Sequence, residues 1–155
     1  VFSKIGIVSD HAGTELKKFL IEYVTTLGVS VQDFGISLET LTSVDYPDYA
    51  ALLASRISQK SLDGGIAICG TGIGMSIAAN KYPGVRAALV WSEYTSRMSR
   101  AHNDSNLLCL GARVLNPHRA ADFVKLWLET PFEKGHHQTR LDKLVRIEKK
   151  NGLWG

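Results

Sequence analysis

Two cysteines in 155 residues are too few for a disulfide framework. They stand far apart, at positions 69 and 109, and fit a reducing compartment in which a thiol is free to react. The first residues show no basic stretch followed by an apolar one, so no secretory signal is expected and a cytoplasmic location is. No run reaches the ~18 apolar residues of a membrane span, so no membrane partner is expected. The excess of positive charge is slight, 18 Lys and Arg against 15 Asp and Glu. With the basic residues spread out, this gives no nucleic-acid footprint. The last third is richer in Arg, Lys and His, which suits a small anion. No two histidines sit four apart on a helix and no cysteine–histidine cluster appears, so no metal site is expected. There is no internal repeat, low-complexity segment or linker. The length then favours a single domain over 1–155.

Against these absences stands a regular alternation. "KIGIVS" (4–9) is a short apolar run that reads as a buried strand. Residues 14–27 place Leu16, Phe19, Leu20, Tyr23, Val24 and Leu27 at helical spacing, and Gly28 stops that helix. "VSVQDFG" (29–35) alternates as a second strand. "SVDYPDYA" (43–50) is a turn whose Pro47 opens a helix to about residue 61, with Tyr49, Leu52, Leu53, Arg56 and Ile57 on one stripe. Further strands are expected at 65–69, 85–91 and 105–111, and further helices at 76–82, 92–102, 117–129 and 139–151. Apolar strands alternating with helices predict a parallel sheet covered on both faces. The expected architecture is therefore α/β: a single-domain, three-layer α/β/α sandwich on a five-stranded parallel sheet, Rossmann-like, with a C-terminal helix. Ligands in such folds bind beyond the carboxyl ends of the strands. Residues 9–13, 69–74 and 111–113 and the helix start at 92–95 fall there.

The stretch "IAICGTGIGMS" (66–76) ends an apolar run on Cys69 and then sets Gly70, Gly72 and Gly74 at alternate positions. The dinucleotide fingerprint needs its third glycine at position six, which here is Met75 or Ile77, and no Walker lysine follows. Small residues opening a helix still present several backbone N–H groups, a nest for an anion. A thiol at such a helix start has its thiolate stabilised. Thiolate and nest together suit a reaction that removes a proton and develops a negative oxygen, as enediolate chemistry on a sugar does. Position alone also allows Cys69 to be a small buried strand residue, and for Cys109, among apolar neighbours, that is the preferred reading. Asp10 and His11 close the first strand, where packing poorly explains them, although a helix cap would. His102, Asn103 and Asp104 read as a site or as a helix C-cap. "HHQTR" (136–140) reads as a site or as a solvated turn.

"SDHAG", "SVDYPDYA", "ICGTGIGMSIAANKYPGVRAALV", "MSRAHNDSN" and "LGARV" resemble the ribose-5-phosphate isomerase B family, which includes galactose-6-phosphate isomerase subunits. The similarity covers about residues 4–150. The resemblance implies interconversion of an aldose phosphate and a ketose phosphate, with no metal or organic cofactor. It implies Cys69 as general base. A second branch of the family uses a glutamate six residues later, and here that position is Met75. Gly70, Gly72 and Gly74 would hold the enediolate, with Thr71 adding a hydroxyl, and His102 would open the sugar ring. Asp10 and Asn103 would hold sugar hydroxyls, Tyr46 would line the pocket, and His11, Arg113 and Arg140 would face the phosphate. The family motif Arg-His-x-x-Arg is here "HHQTR", so His136 takes the place of the first arginine at the phosphate. The resemblance also implies a homodimer or a dimer of dimers with shared sites, the C-terminal helix (about 138–150) packing on a partner. The expected substrate pair is ribose 5-phosphate and ribulose 5-phosphate. Rival readings are the same chemistry on galactose, allose or talose 6-phosphate, a non-catalytic phosphosugar-binding protein, and a flavodoxin-like nucleotide module.

Overall fold

Five strands form one parallel sheet: β1 (Lys4–Ser9), β2 (Ser30–Asp33), β3 (Gly64–Cys69), β4 (Ala87–Leu89) and β5 (Leu107–Gly111). Their order across the sheet is β2-β1-β3-β5-β4. Six helices accompany them: α1 (Thr14–Thr26), α2 (Tyr46–Ser58), α3 (Ile73–Ala79), α4 (Glu93–Ala101), α5 (Pro117–Glu129) and α6 (His136–Lys150). The structure is a computed structural model, and it describes residues 2–40 and 42–153. Residues 1, 41, 154 and 155 of the single domain expected over 1–155 lie outside the described residues.

Side chains alternate along a strand, and here the two faces differ in size. Ile5, Ile7, Ile66, Ile68, Leu108 and Leu110 pack with Leu16, Leu20 and Val24 of α1 and with Phe123, Val124 and Trp127 of α5. Val8, Ala67, Cys69, Leu107 and Cys109 pack with Leu53, Ala54 and Ile57 of α2 and with Met75 and Ala79 of α3. A Cβ added at Gly6 or Gly65 would stand 2.6 or 2.7 Å from the Leu53 side chain, so α2 lies close on this small-residue face. The expected three layers are present, with Cys69 facing α2 and α3.

Most boundaries follow local chemistry. Pro47 sits in the first turn of α2. Ser92 and Thr95 close a capping box on α4. The Asn116 side chain accepts the His118 N–H at the start of α5. Three readings change. The buried stripe of α2 is Ala50, Leu53, Ala54 and Ile57, one position away from the expected Tyr49 and Leu52. α3 begins at Ile73, so Gly74 is helical. The segment 136–138, expected as a turn ahead of a helix from about 138, is the first turn of α6.

α4 fixes the placement of everything after it. It starts beside the carboxyl end of β4 and runs back to the opposite edge of the sheet. Arg86, one residue before β4, donates to the carbonyls of Asn103 (3.2 Å) and Asp104 (2.9 Å). The turn after α4 is thus tied to the amino edge of the sheet. α5 makes the same return journey, and the Glu133 N–H donates to the Ala101 carbonyl at 3.0 Å.

Candidate active site

At the carboxyl edge, Cys69 ends β3 with its side chain buried. Its Sγ accepts the Gly72 N–H at 3.2 Å. Gly72 makes this turn with φ of 80°, and a Cβ there would stand 2.9 Å from the Leu110 backbone. The Thr71 hydroxyl accepts the Ile73 N–H at 3.3 Å. The first-turn N–H groups of a helix have no acceptor inside it, so α3 opens with donors beside the thiol. Tyr46 lies against Gly74, where a Cβ would meet its ring at 2.6 Å. Arg113 lies over Gly70, its Nη1 3.1 Å from where a Cβ would be, and its own N–H donates to the Gly70 carbonyl.

β1 supplies the neighbouring wall. Asp10 is buried, and its Oδ1 accepts the Ala12 N–H at 2.9 Å, which turns the chain into α1. His11 is exposed, with Nδ1 3.2 Å from both the N–H and the carbonyl oxygen of Val44. That contact ties the loop before α2 to the end of β1. Asp10, His11, Tyr46, Cys69, Thr71, the three glycines and Arg113 therefore share one edge.

The other expected residues do not join them within the chain. His102 caps the C-terminus of α4 at the amino edge, and Asn103 follows it in an exposed turn. Four successive contacts gather the last group. The rings of His102 and His137 stack at 4.1 Å and 13°, and those of His136 and His137 at 4.0 Å and 39°. Nε2 of His102 and Nε2 of His137 lie 3.8 and 3.6 Å from the Glu133 carboxylate. Burial holds the His137 imidazole below the ordinary histidine range, and the rings of His136 and His102 add to this while Glu133 opposes it. His136 and Arg140 are exposed on the first turns of α6. α4 is nine residues long, so roughly 14 Å of helix separates the two groups.

Residues 5–144 match a family profile described as Ribose/Galactose Isomerase. The chain belongs to the ribose/galactose isomerase family. Curated relatives include a ribose-5-phosphate isomerase B of Escherichia coli, 41% identical over 95% of this chain and 97% of that protein. Among solved structures, a ribose-5-phosphate isomerase B from Clostridium thermocellum superposes with a TM-score of 0.92 at 48% identity, over 96% of this chain and 99% of that one. A ribose-5-phosphate isomerase B from Mycoplasma genitalium, solved with bound ribulose-5-phosphate, gives 0.90 at 44% identity, over 94% and 96%. The α/β fold read from the alternation of strands and helices is the fold of this isomerase family.

Sequence reading passed over several residues that position the candidate site residues of this ribose/galactose isomerase family member. Arg86 and Arg100 hold the Asp104 carboxylate at 3.1 and 2.7 Å, fixing the turn that carries His102 and Asn103. Asp104 takes φ of 44° there, a conformation that aspartate tolerates better than most residues. Glu133 is missed because its partners lie on two elements. The signal that could have found it is its spacing of four from His137.

Proposed function

We propose that this chain interconverts ribose 5-phosphate and ribulose 5-phosphate, with Cys69 as the base. The observation that carries the reading is the seat of the thiol: Sγ at the end of β3, receiving the Gly72 N–H, where α3 opens. The Cys69 thiolate removes the C2 proton of the open-chain aldose. Electrons move onto the carbonyl oxygen to give an enediolate, which the N–H groups of Gly70 to Gly74 and the Thr71 hydroxyl stabilise. The proton of the C2 hydroxyl passes to O1 and the thiol returns its proton to C1, which leaves the C2 carbonyl of the ketose with no net oxidation. His102 opens the ring beforehand by protonating the ring oxygen and accepting the hydroxyl proton. Asp10 and Asn103 hold sugar hydroxyls and Tyr46 lines the pocket. The phosphate lies among His11, Arg113, His136 and Arg140, where arginine forks match its oxygens.

In this reading the working unit is a homodimer. Cys69 and His102 lie on opposite edges of one chain, so each site takes Cys69 from one copy and His102, His136 and Arg140 from the other. Exposed apolar side chains near the carboxyl edge support such an assembly: Trp91 is 63% and Tyr94 71% accessible, with Ile73, Ile77 and Val114 also exposed. The relatives named as ribose-5-phosphate isomerases support the five-carbon substrate. His136 in place of arginine is the observation favouring a second reading, the same reaction on a six-carbon sugar phosphate, because the shorter side chain leaves room. Steady-state assays on ribose, allose, talose and galactose phosphates decide between them. The expected result is the highest kcat/KM on ribose 5-phosphate, and a higher value on any six-carbon substrate rejects the five-carbon reading.

A further inference from the structure

We propose that His102, Glu133 and His137 form a binding site for a zinc-like divalent cation, and that such an ion inhibits the enzyme by occupying His102. Their three ligand atoms fall within 4.8 Å of one another, and this is the cluster of metal-ligating side chains found among the described residues. Both imidazole Nε2 atoms approach the same oxygen, Oε2 of Glu133, at 3.8 Å from His102 and 3.6 Å from His137. Those separations are too long for hydrogen bonds. They are close to what an ion in the middle demands. Tetrahedral zinc, with bonds of ~2.0–2.1 Å to nitrogen and oxygen, sets its ligand atoms ~3.3 Å apart.

The ring geometry is compatible with this. Both imidazoles bring Nε2 to the same carboxylate oxygen, from rings that lie stacked side by side. Two imidazole nitrogens and one carboxylate oxygen suit a borderline cation such as zinc better than magnesium or calcium. His137 is buried while the side chains of His102 and Glu133 are 39% and 58% accessible, so an ion enters from solvent and keeps an open fourth position. With its Nε2 lone pair on a cation, His102 no longer relays the proton that ring opening requires. The inhibition rests on the role proposed for His102, whereas the binding does not.

Metal-stripped, tag-free enzyme titrated with Zn2+ in a calorimeter tests the binding. Tight binding of one ion per chain is expected, with the dissociation constant raised at least ~10-fold in Glu133→Gln and in His137→Gln. Glu133 is exposed, so its variant keeps the fold even if the His137 variant does not. Equal zinc affinity in wild type and Glu133→Gln overturns the site, as does affinity lost only in Cys69→Ala, which places the ion at the thiol. Turnover of ribose 5-phosphate is followed in parallel. It is expected to fall as zinc fills the wild-type site, to recover on chelation, and to resist zinc in Glu133→Gln. Variant-sensitive binding with unchanged turnover supports the site and overturns the inhibition. An enzyme inactive on every sugar phosphate overturns the isomerase reading while the zinc titration still decides the site.

Discussion

Cys69 and Cys109 share one face of the sheet, two residues apart in register on adjacent strands, yet their surroundings differ. Cys109 lies in mid-strand with no exposure, and burial, with Cys69 nearby, pushes its thiol far above the ordinary range. It stays a neutral core group. Cys69 stands where the strand stops and backbone donors begin, so the two thiols receive opposite predictions. Cys69→Ala is expected to lower kcat at least ~100-fold with little change in KM, the mark of a lost base. Cys109→Ala is expected to keep kcat within a few-fold and to lose stability as a small cavity opens, about 1 kcal/mol. Steady-state kinetics with denaturant titration of both variants checks this pair, and wild-type turnover in Cys69→Ala rejects the thiolate mechanism. Met75 is equally informative. It is fully buried in the same cluster, so the position at which some relatives are expected to carry a glutamate base here fills the core.

α6 shows how charge and helix direction combine. It opens with His136 and His137 and no acidic residue in its first turn. Positive charge at a helix N-terminus is unfavourable, and His137 is also buried against two other imidazoles. Its folded value lies below the ~6.5 of an unfolded histidine. Between those two values the unfolded chain binds more protons, so stability rises with pH. The stabilisation is complete above the unfolded value and is lost as pH falls through it towards the folded one. Urea midpoints measured from about pH 7.5 down to 5.5 are therefore expected to fall more steeply for wild type than for His137→Gln. Parallel profiles would remove His137 as the source. This same turn escaped sequence reading, because "HHQTR" looks solvated when burial by α4 is unknown. α3 escaped in part because its glycines read as a break, although one of them lies inside the helix. β1 (Lys4–Ser9) and α5 (Pro117–Glu129) were legible to the residue, since an apolar run and a Pro-opened amphipathic stretch need no tertiary information. The α2 stripe slipped by one position because small alanines, not the larger tyrosine and leucine, face a sheet surface built from glycine, alanine and cysteine. For the site, the carboxyl-edge group follows from the strand ends alone. The separation of His102 from Cys69 does not, because it depends on which way α4 runs.

That separation governs the whole molecule. If each site takes its thiol from one chain and its ring-opening histidine from another, inactive Cys69→Ala and His102→Ala proteins are expected to regain activity when mixed, unfolded and refolded together. Random pairing makes about half of the dimers hybrid, and each hybrid holds one intact site, so roughly a quarter of wild-type activity is expected. Verified hybrids with no activity would place both residues in one site of one chain. The arrangement also has a consequence for inheritance. A cell making equal amounts of normal and Cys69→Ala chains keeps about half of its sites, because every hybrid retains one. A chain carrying both lesions disables both sites of any normal partner it meets, leaving roughly a quarter. Two substitutions on one gene copy beside a normal copy would thus leave the same quarter as one substitution on each copy, whereas sites built within one chain would keep half in the first case and none in the second, and the reason is only that α4 carries its histidine to the far side of the sheet.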